Sequence, residues 1–266
     1  MKRLFILNLV FLLSAGCAQP SNKSASTPEA NVNASPIATN SGGQDATKQV
    51  SNDPLVDALM SNDQAKAKSL INQGSDLKAR DKNGWTPLMF AAAYAKPAPE
   101  MLDLMITKGG DVNAKDNSGD TTLTIAIVRH NTGLIDIMNV LLAKGADVNA
   151  SNKQGLTPLM AAAAQHKLDA VQALLAKGAN VNAKDGDGNT ALMLSMREAA
   201  DLPPDVPDNG VESLDKALTD MAQTLFNKGA DVNVKNKKGE TALTIAKVWA
   251  DHFGKQGLLQ LLQAKR

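Results

Sequence analysis

The chain has 266 residues, with 28 Lys and Arg against 27 Asp and Glu, a balance that offers no broad electrostatic footprint for DNA or an anionic lipid surface. A single cysteine excludes a fold built on disulfides, and an aromatic content of 3% leaves a core to be made from Ala, Leu, Val, Ile and Met. Thin, closely packed layers suit such residues.

Residues 1–16 read MKRLFILNLVFLLSAG: two basic residues, an apolar run from Leu4 to Leu13, then small residues. This is the pattern of a secretory signal peptide, too short for a comfortable membrane span. Cys17, the one thiol, follows at once. Leu13-Ser-Ala-Gly-Cys17 resembles a bacterial lipobox, which implies that Cys17 is lipidated and becomes the mature N-terminus. Several acyl chains, at about 0.8 kcal/mol per buried methylene, would hold the protein at a membrane where one would not. Ala18 after the cysteine resembles an outer-membrane sorting signal of Gram-negative bacteria, so the expected location is the bacterial envelope, facing the periplasm. Loss of Lys2 and Arg3 with the leader leaves 26 basic residues against 27 acidic ones. From Cys17 through residue 52 the chain is rich in Ser, Thr, Asn, Ala and Pro, contains no aromatic residue, and cannot offset the entropy of ordering. As a flexible tether it would span roughly 30 to 35 Å.

Residues 53–266 are predicted to be all-α. Pro54 to Asn72 reads as a helix pair, polar at Asn62, Asp63, Gln64, Lys66 and Lys68, which suits an N-terminal cap over 53–80. The unit is written out most fully from Asn152 to Asp185. Asn152-Lys-Gln-Gly155 has the composition of a type I turn, Thr157 offers an N-cap hydroxyl, and Pro158 sits at the first helical position. A short alanine-rich helix follows, then a second helix with an apolar stripe at Leu168, Val171, Leu174 and Leu175, ended by Gly178. The capping Thr recurs as Thr86, Thr121, Thr157, Thr190 and Thr241, and the terminating Gly as Gly74, Gly109, Gly145, Gly178 and Gly229. Every Gly-to-Thr distance is 12 residues, so all length variation falls between the helices of a unit. This resembles the ankyrin repeat and implies a solenoid of about six stacked helix pairs with projecting β-hairpins. The units run 81–115, 116–151, 152–184 and 185–235, with a C-terminal cap over 236–266. In place of the family's His after Thr-Pro-Leu the chain has Met89, Thr124, Met160, Met193 and Thr244, which removes the imidazole that bridges units in the family. One unit carries an acidic insertion, DLPPDVPDNGVE at 201–212, whose three prolines preclude continuing a helix there.

No constellation asks for catalysis. Gly186-Asp-Gly188-Asn-Thr-Ala191 spells a dinucleotide fingerprint but follows no apolar strand, and its register as a repeat hairpin accounts for every residue. Asp185, Asp187 and Asn189 alternate as in an EF-hand loop, yet Thr190 stands where that loop needs Gly. His130 and His166 occupy equivalent interhelical turns about one helix-packing distance apart, too far for a shared zinc. No metal and no cofactor is therefore expected, nor a nucleic-acid partner.

What remains is surface. The resemblance implies that a protein partner contacts the hairpin tips and the exposed ends of the first helices, which form one concave face. Carried over position by position, that face holds Lys82, Asn83, Trp85, Tyr94, Asp120, Arg129, Leu156, Gln165, Arg197 and Trp249. Both tryptophans and the only tyrosine fall on it. Trp and Tyr, with Arg, dominate binding energies. Trp85 and Trp249 are four units apart, roughly 40 Å by helix spacing, so the energetic centre is placed around Trp85 and Tyr94. The expected function is a monomeric, non-enzymatic protein-binding scaffold, lipid-anchored in the envelope, that neutralises a toxin or effector or protects an envelope enzyme. The competing expectation is a ligand-binding protein or enzyme that uses the 201–212 insertion.

Overall fold

The structure, a computed structural model, describes residues 53–94, 98–130, 132–200 and 208–265. The leader, Cys17, the tether and residues 201–207 lie outside the described residues.

Twelve helices form six consecutive pairs among the described residues. They are α1 (Pro54–Met60) with α2 (Gln64–Asn72), α3 (Pro87–Tyr94) with α4 (Pro99–Thr107), and α5 (Thr122–Arg129) with α6 (Leu134–Ala143). The others are α7 (Pro158–Ala164) with α8 (Leu168–Ala176), α9 (Ala191–Ala200) with α10 (Asp208–Phe226), and α11 (Ala242–Phe253) with α12 (Gly257–Ala264). Each first helix packs on the first helix of the next unit, α1 through α11 in order, and the second helices make a parallel layer from α2 to α12. The first-helix layer is the better buried. Leu88, Met89, Ala92, Leu123, Ala126, Leu159, Ala162, Leu192 and Ala246 are all closed from solvent, and the alanines among them allow close approach of neighbouring helices.

Thr121, Thr157 and Thr241 cap their helices through bonds from the amides of Thr124, Met160 and Thr244. The residue that replaces the family's His has a second use here. Met89 Sδ, Met160 Sδ and Thr244 Oγ1 accept the backbone N–H of the capping threonine, closing a capping box in the place of the usual Glu or Gln. Thr190 departs from the expected pattern: its hydroxyl is buried and has no partner. Its backbone carbonyl alone starts α9, accepting from Leu194 N at 3.0 Å.

The projecting hairpins are tight turns rather than paired strands. Among the described residues no strand forms, and only an isolated bridge joins Lys115 to Thr121. Each turn is closed by an Asp or Asn whose backbone N–H donates to the carbonyl four residues on, as Asp81 to Trp85 and Asn152 to Leu156. The tips then stack on one another. Asn117 N donates to Asn83 O at 2.9 Å, Lys153 N to Ser118 O at 2.9 Å, Gly186 N to Gln154 O at 2.6 Å and Lys237 N to Asp187 O at 2.8 Å. This requires glycine: a Cβ on Gly119, at φ +86°, would lie 2.9 Å from Lys153 N.

The insertion is read above as breaking the helix throughout 201–212, but α10 already begins at Asp208. Pro203, Pro204 and Pro207 all precede it, so no missing N–H interrupts its ladder. At 19 residues α10 is the longest of the described helices. Its length matters at the end of the stack, where Asp215 Oδ1 accepts the indole N–H of Trp249 at 2.9 Å and Glu212 pairs with Lys255 at 3.7 Å. Trp249 is 0% exposed, whereas its neighbour Val248 is 52% exposed. Trp249→Ala should therefore cost about 3 to 5 kcal/mol of stability, and Val248→Ala well under 1 kcal/mol. Equal unfolding midpoints for the two variants in chemical denaturation would overturn this burial.

Candidate protein-binding face

The first-helix ends and hairpin tips bring three of the expected residues into one cluster. Asp81 Oδ1 accepts the amides of Asn83 at 2.9 Å and Trp85 at 2.7 Å, which fixes the turn and sets Trp85 at its exit. Helix α3 starts two residues later. Phe90 and Tyr94, four apart, share one face of it. Their rings stack at 6.2 Å, while Trp85 meets Phe90 edge-on at 5.2 Å and Tyr94 at 6.2 Å. From the next unit, the last residue of α5 lays Arg129 Cζ 5.6 Å from the centroids of both Trp85 and Tyr94.

Trp85 is not the free tip that the sequence suggested. It is half-buried, its Nε1 donates to Asp116 Oδ2 at 3.1 Å in the next unit, and its ring packs on the Met89, Ala114 and Ile125 core. Tyr94 is the exposed member, at 42%. Phe90, which sequence reasoning passed over, is buried beneath it and forms the floor of the plate. Its spacing from Tyr94 was the available signal.

The other expected contact residues scatter. Lys82 and Asn83 are exposed on the same tip as Trp85, and their carbonyls accept from Asn117 Nδ2 and N. Asp120 is half-buried and accepts Asn152 Nδ2 at 2.9 Å; burial pushes its carboxyl above the usual range, the Asn152 bond opposing and Asp116 adding to the rise. Leu156 is half-buried, its amide held by Asn152 Oδ1 at 3.0 Å. Gln165 Nε2 reaches Val128 O of the preceding unit at 3.5 Å, whereas Arg197 Nη1 donates within its own unit to Asn189 Oδ1 at 3.3 Å. Trp249 is withdrawn from the face altogether. It occupies the position equivalent to Tyr94, but α11 runs 12 residues against 8 for α3, which leaves that position inside the helix and under α10.

Residues in the interhelical turns hold the face in place. His130 Nε2 bonds Ala92 O in the last turn of α3, and Lys167 Nζ donates to Ile127 O and, at 2.6 Å, to His130 O. These bonds satisfy carbonyls that a helix C-terminus leaves open, and they bracket Arg129 on both sides. Desolvation drives the Lys167 ammonium down to about 8. His166 Nε2 lies 2.7 Å from Ser195 O, which makes Nε2 the protonated nitrogen; buried Nδ1 has no partner. Protonating Nδ1 would strand a charge there. Burial accordingly pushes the His166 imidazole below its ordinary 6.5, the Ser195 bond opposing. His130 shifts the same way, mainly by burial, with its Ala92 bond opposing and Lys167 assisting.

A stack of such units, each presenting a turn and a helix end on one side, defines a repeat solenoid built to display a face. The family model described as ankyrin repeats in three copies matches residues 55–152 and 128–202, and the chain belongs to the ankyrin-repeat family. It is similar to the crystal structure of an ankyrin repeat domain from Acinetobacter baumannii AYE, with 28% identity and a TM-score of 0.64 over 80% of this chain and 97% of that one. It is also similar to a chain in the structure of a predatory endopeptidase from Bdellovibrio bacteriovorus in complex with an immunity protein. There the identity is 29% and the TM-score 0.61, over 82% of this chain and 100% of that one. No curated protein matches.

The unfolded His166 imidazole takes up protons near 6.5 and the folded one only at lower pH, so the unfolded state binds more protons in that window. Stability is present above 6.5 and falls as pH is lowered through it. Thermal unfolding should show a midpoint that declines on acidification, with a shallower decline in His166→Gln. Parallel curves for the two proteins would refute the assignment.

Proposed function

We propose that this protein is a lipid-anchored, non-enzymatic scaffold of a bacterial envelope that binds and neutralises a protein acting there, through the face centred on Trp85, Tyr94 and Arg129. The observation that carries protein binding is that plate: two aromatic rings and a guanidinium, half open on rigid elements, of the residue types that dominate interface energies. A preformed face of this kind loses little ordering entropy on binding. The structural likeness to a chain found with an endopeptidase and an immunity protein favours neutralisation of an envelope hydrolase over escort of a resident enzyme. Lipidation at Cys17 rests on the LSAGC sequence and outer-membrane location on Ala18 after it, with residues 18–52 as tether.

A ligand site on the insertion is the less favoured reading. It needs Glu212 available as a ligand, whereas Glu212 lies beside Lys255. Among the described residues no group of three or more His, Cys, Asp or Glu could hold a metal ion. Calcium should leave the unfolding midpoint unchanged; a rise that disappears when 201–212 are deleted would favour the ligand site instead.

Three variants test the main reading. Cys17→Ser should release the protein from membranes or leave it unprocessed, as fractionation would show. Tyr94→Ala should weaken binding of the hydrolase recovered by cross-linking in envelopes by about 2 kcal/mol, about thirtyfold, without moving the unfolding midpoint. Trp85→Ala should lower both, with about 2 kcal/mol lost from folding because the ring is half core. Unchanged affinity in Tyr94→Ala would displace the binding centre from this plate.

A further inference from the structure

We propose that the plate receives an Asp or Glu side chain from the surface of its protein partner, with Arg129 as the residue that reads the carboxylate. This rests on the protein-binding reading of the same face. The Arg129 guanidinium lies 5.6 Å from the centroids of both Trp85 and Tyr94. Among the described residues its guanidinium has no ion pair and no hydrogen bond, and its five donors lie beside the two rings without an acceptor from those residues.

The acids of the two adjoining hairpin turns make no ion pair with it and hold the turns instead. Asp81 Oδ1 takes the amides of Asn83 and Trp85. Asp116 Oδ1 takes the amides of Ser118 and Asp120, and its Oδ2 takes the Trp85 indole. Asp120 Oδ1 takes Asn152 Nδ2. The result is a positive group held between apolar rings, and its complement is a carboxylate. A planar guanidinium fork matches one in two parallel bonds, which a lysine cannot do.

The backbone decides between a side-chain carboxylate and a chain terminus. A terminal carboxylate is usually gathered by a nest of open backbone N–H groups. Here the amides of Asn83, Gly84 and Trp85, and of Asn117, Ser118, Gly119 and Asp120, are all spent within or between the turns. These two turns therefore offer a ligand no nest of open amides. Arg129 is also positioned beforehand, since His130 N bonds Ala126 O and Lys167 grips Ile127 O and His130 O on either side of it.

The test uses the full mature chain and an N-acetylated, C-amidated Gly-Glu-Leu-Gly peptide at millimolar concentrations, followed by NMR at Arg129 Nε–H and Trp85 Nε1–H. Saturable shifts at both are expected, with affinity weakened about tenfold by Glu→Gln in the peptide or, read at Trp85 Nε1–H, by Arg129→Gln in the protein, and less by Arg129→Lys. Indistinguishable Glu and Gln peptides, or no shift with either, would overturn the proposal. So would tighter binding of a Gln peptide with a free C-terminal carboxylate. A dimer in sedimentation velocity that Arg129→Gln dissociates would make a second copy the occupant and likewise overturn it. If the Glu peptide fails while Tyr94→Ala still weakens binding of the cross-linked hydrolase about thirtyfold, the carboxylate assignment falls and the protein-binding reading stands.

Discussion

The stack depends on one hydrogen bond repeated at every hairpin tip, in which a backbone amide of one turn donates to a carbonyl of the turn before it. Four such bonds, from Asn117, Lys153, Gly186 and Lys237, join the five turns. Each has a net value of only about 1 kcal/mol. Their importance is geometric. The unit beginning at Asp185 carries 201–212, yet Lys237 meets Asp187 just as Asn117 meets Asn83. Register is thus set on the tip side, and length differences are passed to the opposite side, between the helices.

A second set of bonds repeats that register deeper in the connection. Asn113, Asn149 and Asn182 each donate Nδ2 to the carbonyl of the next unit's terminating glycine and accept through Oδ1 the amide two residues beyond it. An asparagine is needed because donor and acceptor sit on one short side chain. With nearest-neighbour coupling of this kind, stability is carried from unit to unit, and an end without a neighbour must be closed by other means. The C-terminal end is closed by the long α10, whose Asp215 takes the Trp249 indole while Phe253 packs on that ring at 4.5 Å.

Much of this was legible in the sequence. Fixed Gly-to-Thr spacing and the proline at Pro158 give the helix pairs and the solenoid, because both rest on local backbone chemistry. Three features were harder to read. The asparagine ladder lies in plain view in DVNA and NVNA, but an asparagine near a turn reads first as bonding its own backbone, and only neighbouring units show that its partners lie elsewhere. Trp249 was misplaced because equivalence by register assumes helices of equal length, and α11 is longer than α3. His130, His166 and Lys167 read as polar turn residues, since their function is to close carbonyls of other units and has no trace within their own.

Those turn residues explain why the face is rigid where it is most chemically distinct. The family's bridging imidazole is absent from the start of each first helix, and the lateral side-chain bonds have moved to the opposite helix end. There His130 ties the last turn of α3 to the C-cap of α5, which places Arg129 above Tyr94. Lys167 then fixes the same C-cap from the following unit, at the cost of partial desolvation of its ammonium. Arg129, half-buried beside these fixed C-cap residues, has lost part of its freedom before any partner arrives. Part of the ordering entropy that usually weakens an exposed charge pair is then already spent in folding, so a carboxylate meeting Arg129 beside the two rings meets a better-placed donor than a freely moving surface arginine would be.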